Sequence, residues 1–292
     1  MDLRQNQLPW SDQIWAKINA DLARTLTQSR RVRAPFEVFS VPDSTQVVMA
    51  DRCDPDSLQA TPDWTYTETE TLPIVELSIP FELAQSQVFN EGDNFYALDR
   101  IIEAAHQLGF AEDHLLVEAN IGVLVLQNPL VQTNPTRNLW NGLNYSQGSH
   151  NREIGHTAWP RGQSTGKDLF DAVNDAKSKI RTFQRYEPYA LFLSYDLEAE
   201  LNSTVWGSNS LNTPVERMRP LVTAGIYSTP VLPSRTAILA ATSRSWMDIA
   251  QALDPSIQFL AIDERGNYKL RLVERFAFRL KDTAARAVIK ML

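Results

Sequence analysis

The sequence predicts an α+β fold, and three observations carry that expectation. Strand-like segments recur at irregular spacing and never as repeated βαβ units. Amphipathic stretches with a helical period are few and well separated. The chain runs towards its end through a long alternating strand, and no internal repeat is visible.

The first element expected is a helix from Asp12 to about Thr27. Ser11 suits the cap, with Trp10 before it and Trp15 one turn in, placed as a hydrophobic staple. Ile14, Ile18, Leu22 and Leu26 recur every fourth residue and form one apolar stripe. Arg30-Arg31-Val32-Arg33 follows, then a strand over Phe36–Val41. Two polar strands, Gln46–Ala50 and Trp64–Thr71, flank Asp51 to Asp63, a segment made almost entirely of turn residues. They read as a projecting hairpin with too little apolar surface to stand alone.

Val75, Leu77, Ile79, Phe81 and Leu83 alternate with polar residues and Pro80, giving a half-buried strand with an edge or bulge at the proline. A helix over Tyr96–Gln107 is expected to break at Gly109 and resume over Glu112–Ala119. Residues 127–164 show no period. A helix is expected over Asp168–Gln184, with Leu169, Val173, Ala176, Ile180 and Phe183 inward. Then come a buried strand at Tyr189–Ser194, a helix at Asp196–Leu201 and a polar loop at Asn202–Pro214. Strands are expected at Ile226–Ser228, Ala237–Ala241 and Gln258–Ile262, with a helix at Met247–Leu253. In the last long strand Tyr268, Leu270, Leu272, Phe276, Phe278 and Leu280 face one way, and Lys269, Arg271, Arg275 and Arg279 the other. Glu274 falls on the apolar face and needs a partner there.

Composition narrows the chemistry. Of 292 residues, 43% are hydrophobic and 22% charged, which fits a folded globular chain. The lone Cys53 rules out an internal disulfide and any site built on two cysteines, and it points to a reducing compartment, the cytoplasm. With 28 Lys and Arg against 35 Asp and Glu, the net charge of −7 disfavours a coat wrapped on nucleic acid. No apolar run approaches the roughly 20 residues of a membrane helix, and the start Met1-Asp2-Leu3-Arg4-Gln5-Asn6-Gln7 leads to the expectation of a chain without an export signal. No two of the 11 glycines are separated by a single residue, so neither a dinucleotide fingerprint nor a kinase glycine loop is present.

No catalytic constellation emerges, and the expectation is a protein that is not an enzyme. Gly162-Gln163-Ser164-Thr165-Gly166 has the nucleophile-elbow spacing, but all four histidines (106, 114, 150, 156) precede Ser164, the reverse of that fold's order. The plain reading is a loop that caps the next helix. Glu103 and His106 have di-iron spacing, yet two such helices are required; Glu112, Asp113 and His114 do not supply the second, so exposed helix polar residues are expected. His150, Glu153 and His156 could meet at a metal, although solvated loop side chains are the ordinary outcome. The basic face of the last strand could hold nucleic acid, against the plainer reading of salt bridges to an acidic neighbour. What remains asks for partners: a Trp-bearing helix, a projecting hairpin and a long apolar strand.

Several segments in order resemble the encapsulins, shell proteins also labelled linocin-like. They are Met1-Asp2-Leu3-Arg4 leading into a helix that ends Asp21-Leu22-Ala23-Arg24-Thr25-Leu26; Leu72-Pro73-Ile74-Val75-Glu76-Leu77-Ser78-Ile79-Pro80-Phe81-Glu82-Leu83; Ala111-Glu112-Asp113; Pro188-Tyr189-Ala190-Leu191; Gly225-Ile226-Tyr227 with Thr229-Pro230-Val231-Leu232-Pro233; and Leu272-Val273-Glu274-Arg275-Phe276-Ala277-Phe278. The resemblance covers most of the chain, and the 72–83 strand is its most specific piece.

The resemblance implies the tailed-phage major capsid fold, of the Hong Kong 97 kind. Residues 1–42 would form the amino-terminal arm, 43–71 an extended loop that pairs with a neighbour, 72–129 a peripheral domain with a spine helix at about 96–118, 130–250 an axial domain, and 251–292 strands returning to the peripheral domain. It implies a homo-oligomeric icosahedral shell of about sixty subunits or a multiple of that number, enclosing cargo enzymes that carry a short targeting peptide. Mapped by position, Leu26, Phe36, Val38, Phe276 and Phe278 would take that peptide. The 202–214 loop would line a pore for small molecules, with Trp206, Ser208, Asn209 and Ser210.

Departures from the family pattern are also legible. The stretch 127–160 is an insertion. Ser86 and Gln87 stand where some relatives hold a flavin on an aromatic residue, so no cofactor is expected. Ser245 to Asp254 differs from the usual segment. The alternatives are a prophage-type major capsid protein that packages DNA and, further off, a secreted bacteriocin or hydrolase.

Overall fold

The computed structural model describes residues 3–53, 66–120, 123–124, 130–134, 140, 142–144, 153–156, 165–203 and 213–291. Two five-stranded sheets and a two-stranded ribbon make up the described strands. The first sheet has the order β1 (Val38–Ser40), β10 (Met247–Ile262), β11 (Tyr268–Leu280), β4 (Val75–Leu83), β5 (Gln132–Asn134). The second has the order β6 (Glu153–His156), β12 (Arg286–Met291), β9 (Thr236–Ala241), β7 (Tyr189–Leu193), β8 (Gly225–Ser228). The ribbon pairs β2 (Val47–Cys53) with β3 (Tyr66–Pro73), antiparallel. The predicted α+β class is therefore observed.

Helix α1 (Asp12–Ser29) begins as the sequence requires. The Ser11 hydroxyl accepts from the Ile14 N–H at 3.4 Å, and Trp10 meets Trp15 edge-on at 5.0 Å between centroids. Ile18, Leu22 and Leu26 are buried. The short helices α2 (Gln85–Phe89) and α3 (Glu91–Asn94) lead into the long helix α4 (Tyr96–Glu118). The buried Glu91 carboxylate accepts from the N–H groups of Ala97 (2.5 Å) and Leu98 (2.9 Å), supplying the first turn of α4 with the acceptors it lacks.

Gly109 does not break this helix. A Cβ there would lie 2.2 Å from Ser29 Oγ and 2.8 Å from Ser29 Cβ, so the glycine exists to let the end of α1 approach α4. At the other end of α4, Leu143 and Asn144 donate to the carbonyls of Leu116 and Val117 (2.9 and 2.8 Å). Helix α5 (Thr165–Thr182) covers the second sheet, with Leu169, Val173, Ala176 and Ile180 buried and Phe183 only partly so. Helices α6 (Tyr195–Ser203) and α7 (Pro214–Met218) follow.

Several expectations need correction. Met247–Leu253 is not a helix but the start of β10, which runs unbroken to Ile262 with register shifts around Leu253. Its apolar residues are spaced as a helix would want, but both faces are covered, and burial overrides local period. The irregular 127–164 stretch contributes edge strands β5 and β6. The final strand β12 was not foreseen, and it pairs with β9 and β6 in the second sheet, not with the first. Pro80 lies where only β11 pairs with β4, because β5 covers Glu76–Ser78 alone.

Candidate functional site

A groove of about 780 Å³ lies between α1, the 30–37 connector, β1 and the Asp254-Pro255-Ser256 kink of β10. Its apolar floor is Leu22, Leu26 and Phe36, all buried, and Val38, 41% exposed, forms a wall. Exposed Ala23 and Ala34 sit on the rim, so nothing bulky closes it there. Among the described residues β1 is the edge of its sheet, and no strand pairs with the side of its backbone away from β10.

Three of the five sequence candidates, Leu26, Phe36 and Val38, come together here. Phe276 and Phe278 do not reach the groove. Both are fully buried in β11; Phe278 packs against Phe36 with tilted rings at 5.3 Å and supports the floor from inside the core, whereas Phe276 packs against Trp140 at 5.8 Å. Their alternation marked a buried face correctly but could not tell a cavity wall from an interior. Leu22 was legible as part of the α1 stripe. The β10 kink was hidden by the expected helix, although Asp254-Pro255-Ser256 is itself a turn signal.

Behind the groove lies a buried charge cluster. Arg30 and Arg33 line the groove and point inward. Arg30 Nε is 2.5 Å from Glu112 Oε2 and its Nη2 is 2.5 Å from Glu274 Oε2; Arg33 Nη1 is 2.5 Å from Glu112 Oε1. Arg33 Nη2 also donates to Gln251 Oε1 at 2.6 Å. The Asp113 carboxylate accepts from the N–H groups of Arg31 and Val32, both at 3.0 Å. Glu274 thus finds the partner its position demanded, whereas Glu112 and Asp113, expected on an exposed helix face, are buried.

Three carboxyls face two guanidiniums. Burial raises Asp113 to about 8, against two backbone N–H bonds and with Glu112 adding to the rise. Burial likewise raises Glu274 to about 7 despite Arg30. For Arg30, burial opposes the charge, but Glu112 and Glu274 outweigh it and hold the guanidinium protonated. The cluster welds the connector to α4, β10 and β11 and so fixes the groove's shape.

The other candidate residues have different fates. Trp206, Ser208, Asn209, Ser210, Ser164 and His150 lie outside the described residues, as do the side chains of Glu153 and His156. Glu103 and His106 are exposed on α4. His114 is buried, and burial lowers its pKa. Among the described residues no group of three His, Cys, Asp or Glu could hold a metal, and no helix is long and apolar enough to cross a membrane. The basic face of β11 is engaged internally: Arg271 meets Glu76 at 2.8 Å, Arg279 grips both oxygens of Asp248 at 2.7 Å, and Arg275 binds backbone carbonyls.

This architecture, with a long helix, two five-stranded sheets and a two-stranded ribbon, is the tailed-phage major capsid fold. A virus-like particle from Pyrococcus furiosus superimposes with a TM-score of 0.67 at 15% identity, covering 94% of this chain and 98% of that one. The capsid of Myoviridae phage XM1 follows at 0.61 and 13%, covering 90% and 92%. Within that class, residues 137–277 match the linocin family, described as encapsulating protein for peroxidase. The type 1 encapsulin shell protein EncA of Myxococcus xanthus is 28% identical over 112 residues, a match that spans 38% of each chain. Together these matches support an encapsulin shell protein.

Proposed function

We propose that the chain assembles with copies of itself into a closed shell, of about sixty subunits or a multiple, and that the groove receives an extended targeting segment of an enclosed protein. The observation that carries the second part is the groove itself. It has an apolar floor of Leu22, Leu26 and Phe36, an exposed Val38 wall and, among the described residues, an edge strand, offered by a subunit of capsid fold. Apolar side chains of an extended peptide would be captured there by burial, at roughly 25 cal/mol per Å² removed from water. The family description names a peroxidase as the enclosed partner of relatives, so an enzyme of that class is the first cargo to test. The ribbon reaches a neighbouring subunit, and the 202–214 loop with Trp206, Ser208, Asn209 and Ser210 lines a pore for small molecules.

The test is co-expression with a cargo candidate, followed by particle purification. Ala23→Trp fills the rim from an exposed position and should leave particles intact while reducing captured cargo at least tenfold. Undiminished capture by that variant would reject the groove as the docking site. A second reading, a prophage capsid that packages DNA, draws on the fold shared with a phage capsid. It predicts nuclease-protected nucleic acid of uniform length in the particles, and the shell reading predicts none.

A further inference from the structure

The ribbon's root is held by directional polar bonds. Arg275 of β11 donates through Nη1 to the Asp43 carbonyl and through Nη2 to the Thr45 carbonyl (3.0 Å) and Gln46 Oε1 (3.4 Å). Arg279, four residues and two pleats further along β11, donates through Nη1 to the Met49 carbonyl at 3.1 Å. Its other nitrogens are fixed by Asp248, which Lys281 also binds at 2.7 Å, and its guanidinium lies over the Phe39 ring at 4.5 Å. Beside this root lies a polar cavity of about 460 Å³ lined by Asp43, Gln46, Ile74, Glu76, Asn134 and Arg275. Val48, Ala50 and Leu72 turn inward and supply apolar adhesion, whereas Val47 and Met49 are 53% and 60% exposed.

These facts divide the work at the root. Apolar burial is non-directional and lets a ribbon slide or tilt on its support. The cavity leaves room for such tilting. Hydrogen bonds from a planar guanidinium to carbonyls fix direction, and here they come from two points on β11 to either end of the root. We propose that Arg275 and Arg279 are positioning residues that set the angle at which the ribbon leaves its subunit, and thereby the angle between neighbouring subunits and the diameter of the assembled shell. This rests on the reading of the ribbon as the arm that reaches a neighbour.

The test compares particle diameters by electron microscopy for wild type, Arg275→Lys, Arg279→Lys and Thr45→Gly, with circular dichroism melts to verify folding. An ammonium keeps the charge but cannot make the same fork of bonds. Thr45→Gly loosens the root while leaving both guanidiniums in place, so it decides the matter should the arginine variants fail to fold. The expected result is a shifted or broadened diameter distribution in folded variants, against a single population in wild type. Folded variants that all assemble into particles of wild-type diameter and spread would overturn the proposal. A wild type that forms no particles at all would instead overturn the shell reading.

Discussion

Replacing Arg30 by Met is the sharpest test of how the groove is held. Arg30 bridges two fully buried carboxylates, Glu112 and Glu274, at 2.5 Å each. Removing one partner of a buried ion pair leaves uncompensated charge and costs about 3–5 kcal/mol. Arg33 still serves Glu112, so the cost falls mainly on the orphaned Glu274, and the range for one uncompensated buried charge applies. Against a typical total stability of about 5–15 kcal/mol the loss is large. At roughly 2–4 °C per kcal/mol for a chain of this size, the thermal midpoint should fall by about 6–20 °C at pH 8. The deficit should shrink at pH 5.5, because Glu274 is already raised to about 7 and takes a proton more readily once Arg30 is gone. Arg30→Met combined with Glu274→Met should recover much of the loss, since apolar replacement of a whole buried pair is often neutral. Thermal melts followed by circular dichroism at both pH values suffice. A single variant within 1 °C of wild type at pH 8, or a double variant worse than the single, would refute the reasoning.

Three further outcomes follow from the same structure. Asp113 and Glu274 hold protons in the folded chain at pH values where solvated carboxyls have lost them, so the folded state binds more protons and stability falls as pH rises from about 5 through 8; melts across that range should show it, and Glu274→Gln should flatten the slope. Gly109→Ala forces a methyl against Ser29 and should cost about 1–3 kcal/mol of overpacking, with Gly109→Ala/Ser29→Gly recovering most of it in the same melts. Deleting residues 51–63 should weaken assembly with little effect on the melting of the subunit, measured by sedimentation; unchanged particles would remove the ribbon from the contact between subunits.

What the sequence disclosed and what it withheld divide along physical lines. The α1 cap, staple and stripe were legible because they depend on near neighbours along the helix, and the alternation of Val75 to Leu83 was legible because one side of that strand is more fully covered than the side carrying Glu76, Pro80 and Glu82. Met247–Leu253 misled because a strand buried on both faces carries no period of two. β12 was missed because Arg286–Met291 follows immediately after a long strand and its partners are distant in the chain. Gly109 was read as a break, since only the approach of Ser29, eighty residues away, explains it. For the groove, Leu26, Phe36 and Val38 were found through resemblance, whereas the Arg30–Glu112–Glu274 cluster behind it was visible only as one acidic residue on an apolar face. Ion pairs between distant elements leave no local pattern, so only the unmet need of Glu274 pointed to them.

The central claim is that this chain closes into a shell, and electron microscopy of the protein expressed alone tests it most directly. The account predicts closed, empty particles of the size of a small virus. A stable monomer that persists at high concentration would contradict it.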